Sequence, residues 1–176
     1  MRRSTMLLAT LLIASSAQAQ SNAPAAAPPA ACAAEPYRQF DFWIGKWDVR
    51  PAGKDVIVAR SLIERLYDGC AIRENWMPVA GSGGGSPSNY DIGKKRWRQA
   101  WVDSSGTRVD FDGGYAGDAM VLTGLWRGIN GPGKDGLVRM TYTRQPGGRV
   151  RQFGEVSTDG GKSWSASFDF LYSPAQ

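Results

Sequence analysis

Few side chains in this chain can do chemistry, and their types narrow what that chemistry is. The sequence contains no His, which removes the commonest general base and the commonest metal ligand together. Its two Cys, Cys32 and Cys70, cannot build a structural zinc site alone, so no metal is expected. A Ser nucleophile would lack its His base, and no Gly-x-Ser-x-Gly elbow is present. The Gly/Ser-rich run 80–88 lacks the spacing of a phosphate-binding loop and reads as a flexible loop at the mouth of a barrel. Carboxylate chemistry remains, and Glu64 and Glu74 are the acids to watch.

Their placement depends on one hairpin. Residues 54–66 and 70–78 read as strands joined at Tyr67-Asp68-Gly69, and Asp-Gly is a strong hairpin signal. A three-residue loop with Gly69 left-handed pairs Leu66 with Cys70. That register gathers Leu62, Leu66, Cys70, Ile72 and Trp76 on one face, and a one-residue slip would exchange the faces. It also turns Glu64 and Glu74 inward. A lumenal carboxylate must be offset by a cation, a ligand or a proton. Arg96, Arg98, Arg139 and Arg151 are the available cations. Three arrangements stay open: a Glu–Arg network, acids that reach solvent at the rim, and polar contacts for a ligand. A glycosidase-like acid/base pair would need a set separation and an open cleft.

The elements that must carry these groups are short strands. Trp97, Gln99 and Trp101 alternate against Arg96, Arg98 and Val102, as in a half-buried strand. Further strands are expected at 44–50, 89–92, 109–112, 120–127, 137–144, 149–156 and 164–172. Turns rich in Gly and Pro separate them, Gly113-Gly114 among these. The pattern predicts an all-β fold of about ten strands, a barrel or a sandwich, without a long helix. Trp97, Trp101, Trp126 and Tyr142 then face one of two fates: the lining of a pocket for a planar or apolar ligand, or plain core. With Glu64, Glu74, Trp76 and Gln99 they are the candidate ligand-binding residues.

The stretch Phe40-Asp41-Phe42-Trp43-Ile44-Gly45-Lys46-Trp47-Asp48-Val49 opens the folded part. A helical turn at 37–42 followed by Gly45-Lys46-Trp47 resembles the first signature of the calycins, the superfamily that contains the lipocalins. That resemblance implies an antiparallel lipocalin-like barrel of about ten strands, a turn that plugs one barrel end and a Trp47 that closes its floor. The longer string resembles an uncharacterised family of exported bacterial proteins, a domain of unknown function, over 37–172. The second lipocalin signature and the C-terminal helix are absent, so the likeness to lipocalins themselves is architectural. Ser157-Thr158-Asp159-Gly160-Gly161-Lys162-Ser163-Trp164 fits the Asp-box pattern of sialidase-like propellers, but it occurs once and without a blade-length repeat. Its expected role is local: Asp159 accepts backbone hydrogen bonds, Gly161 takes an unusual φ and Trp164 covers the turn.

Residues 1–19 have the three parts of a secretory signal: Arg2 and Arg3, the apolar run 6–14, and Ala17-Gln18-Ala19 for cleavage. The apolar run is too short to span a membrane. Residues 20–36 read as an Ala/Pro-rich tether and 37–176 as the barrel domain. Cys32 and Cys70 are an even pair in an exported chain, which favours a disulfide. Formal net charge is +5, and removing Arg2 and Arg3 leaves 19 basic against 16 acidic groups, no footprint for nucleic acid. The reading is an exported barrel, periplasmic or secreted, that holds a small apolar or amphipathic molecule without a cofactor. A filled structural barrel is the rival, and a carboxylate-dependent enzyme a weaker one.

Overall fold

The computed structural model describes residues 32–175, and the expected signal, its cleavage site and most of the tether lie outside them. Ten antiparallel strands close into one barrel of lipocalin-like form: β1 (Gly45–Pro51), β2 (Ala59–Leu66), β3 (Ala71–Pro78), β4 (Gly84–Asp91), β5 (Arg96–Asp103), β6 (Arg108–Ala116), β7 (Ala119–Trp126), β8 (Gly136–Gln145), β9 (Arg149–Ser157) and β10 (Ser165–Pro174). Each strand pairs with its neighbours in sequence, and β1 pairs with β10 to complete the ring, with Trp47 opposite Pro174 and Val49 opposite Tyr172. Closure leaves no free sheet edge.

Alternation sorts the side chains. Along β5, Trp97 and Gln99 are buried while Arg96 and Val102 are exposed. The outer face carries ion pairs between directly opposed residues of neighbouring strands: Arg60–Asp48, Arg73–Glu64, Arg98–Asp112 and Arg139–Glu155. Arg151 and Asp169 make a further, two-pronged pair at 2.7 Å. Such pairs are screened by solvent and contribute little to stability, but they help to hold register.

One end of the barrel is plugged from within. Two 3₁₀ turns, Glu35–Tyr37 and Asp41–Trp43, fold the chain across it and drive Phe40 and Trp43 into the core, both at 0 % exposure. Phe40 stacks on Trp43 at 5.0 Å between ring centres and meets Tyr142 and Trp97 edge-on. Trp47 lies beneath them, its indole N–H donating to the Trp43 carbonyl at 2.9 Å. Cys32 is buried and bonded to Cys70, so the packed domain reaches back at least to Cys32. Arg38 donates to the Gly69 carbonyl beside that bond, and a side chain at Gly69 would collide with the guanidinium.

Three expectations need correction. The β2–β3 hairpin pairs Leu66 with Ala71, not with Cys70. Its loop is one residue longer than expected, with Tyr67, Asp68 and Gly69 all at positive φ. Ser61 and Ile63 of β2 therefore face inward, and Leu62, Glu64 and Leu66 face outward. The disulfide at Cys70 and the Arg38 contact at Gly69 hold the loop in this form, and neither is visible to strand patterning. The run 80–88 is loop only in its first part, since β4 begins at Gly84 and puts Ser86 and Ser88 inside. Gly113-Gly114 is strand, not turn, and a Cβ at Gly113 would meet the Val121 carbonyl across the sheet.

Candidate functional site

Above the aromatic plug the lumen opens into a cavity of about 200 Å³. Its floor is polar and buried: Glu74 from β3, Gln99 from β5, Tyr142 from β8, Gln152 from β9 and Tyr172 from β10. Phe111 and Met140 line its middle. Its mouth is aromatic and partly exposed: Trp76, Trp101, Trp126, Phe168 and Phe170. The layering follows from strand period. Trp76 lies two residues from Glu74, Trp101 two from Gln99, and Phe170 two from Tyr172, so these three floor residues each have an aromatic above them on the same face.

Glycine on the inner face makes room for the rings. Gly154 stands opposite Phe168, and a Cβ there would lie 2.3 Å from the Phe168 ring. Gly124 stands opposite Phe111, where a Cβ would come within 2.8 Å of that ring. Aromatic side chains thus lean across neighbouring strands into the lumen instead of standing upright.

Glu74 is the centre of the floor. It is 5 % exposed and joins no ion pair among the described residues. Ser61 donates to one carboxyl oxygen at 3.0 Å and Ser86 to the other at 3.1 Å. The Tyr172 hydroxyl approaches at 3.4 Å but lies 2.7 Å from the Gln152 carbonyl oxygen. A hydroxyl has one proton, and the shorter contact takes it. Gln152 in turn donates to the Tyr142 hydroxyl at 2.9 Å and faces the Met140 sulfur at 3.3 Å. Gln99 donates to Ser88 at 3.1 Å. Burial pushes the Glu74 carboxyl up to about 7, and the hydroxyls of Ser61 and Ser86 only partly oppose this. Burial, and then the charge of Glu74, push both Tyr142 and Tyr172 well above the usual phenol range.

Of the candidate ligand-binding residues, Glu74, Trp76, Gln99, Trp101, Trp126 and Tyr142 are brought together around the cavity. Two are not. Glu64 sits on the outer wall, its carboxylate 2.5 Å from Arg73, because the register differs by one residue from that expected. Trp97 packs into the plug, its N–H donating to Gln39 at 3.1 Å. The internal Arg partner considered for Glu74 does not exist either: Arg98, Arg139 and Arg151 are paired outside, and Arg96 is exposed. The sequence reading missed Ser61, Ser86, Gln152, Phe168, Phe170 and Tyr172. The alternation Phe168, Phe170, Tyr172 and the lone Gly154 in β9 were the signals available for part of this set.

The Asp-box segment lies away from this cavity. Asp159 accepts from the Lys162 and Ser163 amides at 3.0 and 2.9 Å and from the Ser163 hydroxyl at 2.6 Å. Those Ser163 bonds, with one from Ser157, hold its carboxyl well below the usual range. Gly161 has φ +90°, Trp164 donates to its carbonyl at 3.1 Å, and Arg139 lies over the Trp164 ring. The segment is a tied-down turn.

Compared with known proteins, the chain matches no family model and no curated sequence.

Proposed function

We propose that this protein is an exported binding module that takes a small apolar or amphipathic molecule into its barrel. The observation that carries the reading is the cavity of about 200 Å³, walled by aromatic rings and floored by buried polar groups. A barrel serving only as scaffold fills its lumen with side chains. Here the lower half is filled by the plug and the upper half is not. Concave aromatic walls with a few convergent polar groups are the common form of a small-molecule site. The acid/base pair needed for glycosidase-like chemistry is not formed, because Glu64 and Glu74 lie on opposite sides of the wall. Export is supported by the signal-like residues 1–19 and by the Cys32–Cys70 bond. The opening string 40–49 supports affiliation with the uncharacterised exported family it resembles.

The test is native mass spectrometry of protein purified from its own host. A mass increment lost on unfolding is the expected result, and Trp101→Ala should reduce it. A clean mass matching the polypeptide, with no small molecule bound from a host extract, would favour the filled-scaffold reading.

A further inference from the structure

The lumen has an acid and no base. Resting on the reading of the barrel as a binder, we infer that it selects an organic cation: a planar or apolar body bearing one protonated amine, the amine on Glu74 and the body between the aromatic walls.

Charge placement is the first argument. Among the described residues, no Lys or Arg lines the cavity. Arg73, Arg98, Arg139 and Arg151 are committed to acids on the outer face. The groups that face Glu74 from β2, β4, β5 and β9 are Ser61, Ser86, Gln99 and Gln152, all uncharged. From β8 and β10 they are Tyr142 and Tyr172, both kept neutral by burial. Lys54, Arg127, Lys134 and Lys162 lie in loops at the mouth end, exposed to solvent and screened by it. A ligand carboxylate entering the cavity would thus meet an acid and no counter-charge. A ligand ammonium would meet a carboxylate whose two oxygens are already aimed by Ser61 and Ser86.

Hydrogen bonding is the second. A carboxylate accepts about four hydrogen bonds. Two come from Ser61 and Ser86, and the Tyr172 proton is taken by Gln152. An ammonium supplies the donors that the ionised form still needs, and its charge offsets the burial that otherwise favours protonation.

The walls are the third. Trp76, Trp101 and Trp126 line the cavity, and among aromatic side chains Trp attracts a cation most strongly through its negative quadrupole. Trp76 stands about 7 Å along β3 from Glu74, a span that suits an arylalkylamine. At the rim, Asp103 lies two residues beyond Trp101. Burial alone would raise its carboxyl, but hydrogen bonds from Ser105, Trp101 and Thr107 outweigh that and hold it low, so the entrance also carries a negative charge.

The experiment is titration calorimetry of the full chain, disulfide intact, with three probes of one shape: 2-naphthylmethylamine, 2-naphthylmethanol and 2-naphthoate, from pH 5 to pH 8. At pH 8 the amine should bind at least about tenfold more tightly than the alcohol, with naphthoate weakest. The amine stays protonated over this range, so its affinity should fall towards about tenfold per pH unit below pH 7, as Glu74 must give up a proton to receive it. The alcohol should show no such fall. In Glu74→Gln the amine's advantage and its pH dependence should disappear while alcohol binding persists. If that variant does not fold, the pH profiles of the unaltered protein decide. Equal affinities for amine and alcohol at pH 8, or tightest binding of naphthoate, would overturn cation selection and leave the binding module standing. An amine preference that survives in folded Glu74→Gln would overturn the role of the carboxylate. Binding of none of the three would overturn the inference and count against the pocket itself.

Discussion

Glu74 and Trp47 show how differently two buried residues of one barrel behave. Glu74 has a carboxyl pushed up to about 7 by burial, against an ordinary value of 4.5. The unfolded chain therefore releases this proton at lower pH than the folded one. Its contribution to stability is full below about pH 4.5 and is lost as pH rises through 7, by roughly 3 kcal/mol in all. Glu74→Gln should flatten this part of the stability profile between pH 5 and pH 7.5, measured as the difference from the unaltered protein in urea unfolding. An identical slope in both would place the Glu74 carboxyl in solvent. Trp47 is 5 % exposed and braces Trp43. Trp47→Ala should cost about 3–5 kcal/mol, read as a lowered denaturation midpoint. An unchanged midpoint would remove Trp47 from the floor of the barrel.

At the scale of elements, the loop between β2 and β3 and the strand pair β9–β10 matter most. The Cys32–Cys70 bond closes a separation of 38 residues and ties the segment before the plug to that loop. In the chain-entropy account it is worth about 4 kcal/mol. Thiol labelling of unfolded, unreduced protein should find no free thiol, and reduction should lower the urea midpoint; two reactive thiols would contradict the bond. In β9, Gly154→Ala should force the Phe168 ring to move, since the added Cβ would lie 2.3 Å from it. The expected result is weaker uptake of an aromatic probe with a stability loss of about 1–3 kcal/mol, the usual range for overpacking. Unaltered uptake and stability would show that Phe168 does not shape the cavity.

For the whole molecule, the expected mature N-terminus is Gln20, after the Ala17-Gln18-Ala19 site. N-terminal sequencing of exported protein checks this, and a start at Met1 or at a lipid-modified Cys32 would contradict it. Barrel closure itself places every residue of the cavity on a strand, with the aromatic plug fixed at the opposite end. Polar floor and aromatic mouth are thereby set at constant depth, which loops alone would not achieve.

Much of this was legible in the chain without its fold. Alternation in Trp97-Arg98-Gln99-Ala100-Trp101 and turns such as Pro146-Gly147-Gly148 were enough for an all-β fold of about ten strands. One even cysteine pair was enough for the disulfide, and the turn expected at 37–42 ahead of Gly45-Lys46-Trp47 for a plugged end. Such signals are local, or depend only on counting. Tertiary structure alone decided which of Glu64 and Glu74 faces inward. Side-chain period in a strand is two, so a single added loop residue moves a whole strand face from lumen to solvent. That residue is held by Cys32 and Arg38, which lie more than thirty positions away along the chain. Strand pairing and closure decided the rest: Ser61 and Ser86 reach Glu74 from β2 and β4, the strands paired with β3, while the pairing of β1 with β10 brings Tyr172, and with it Gln152, to the same floor.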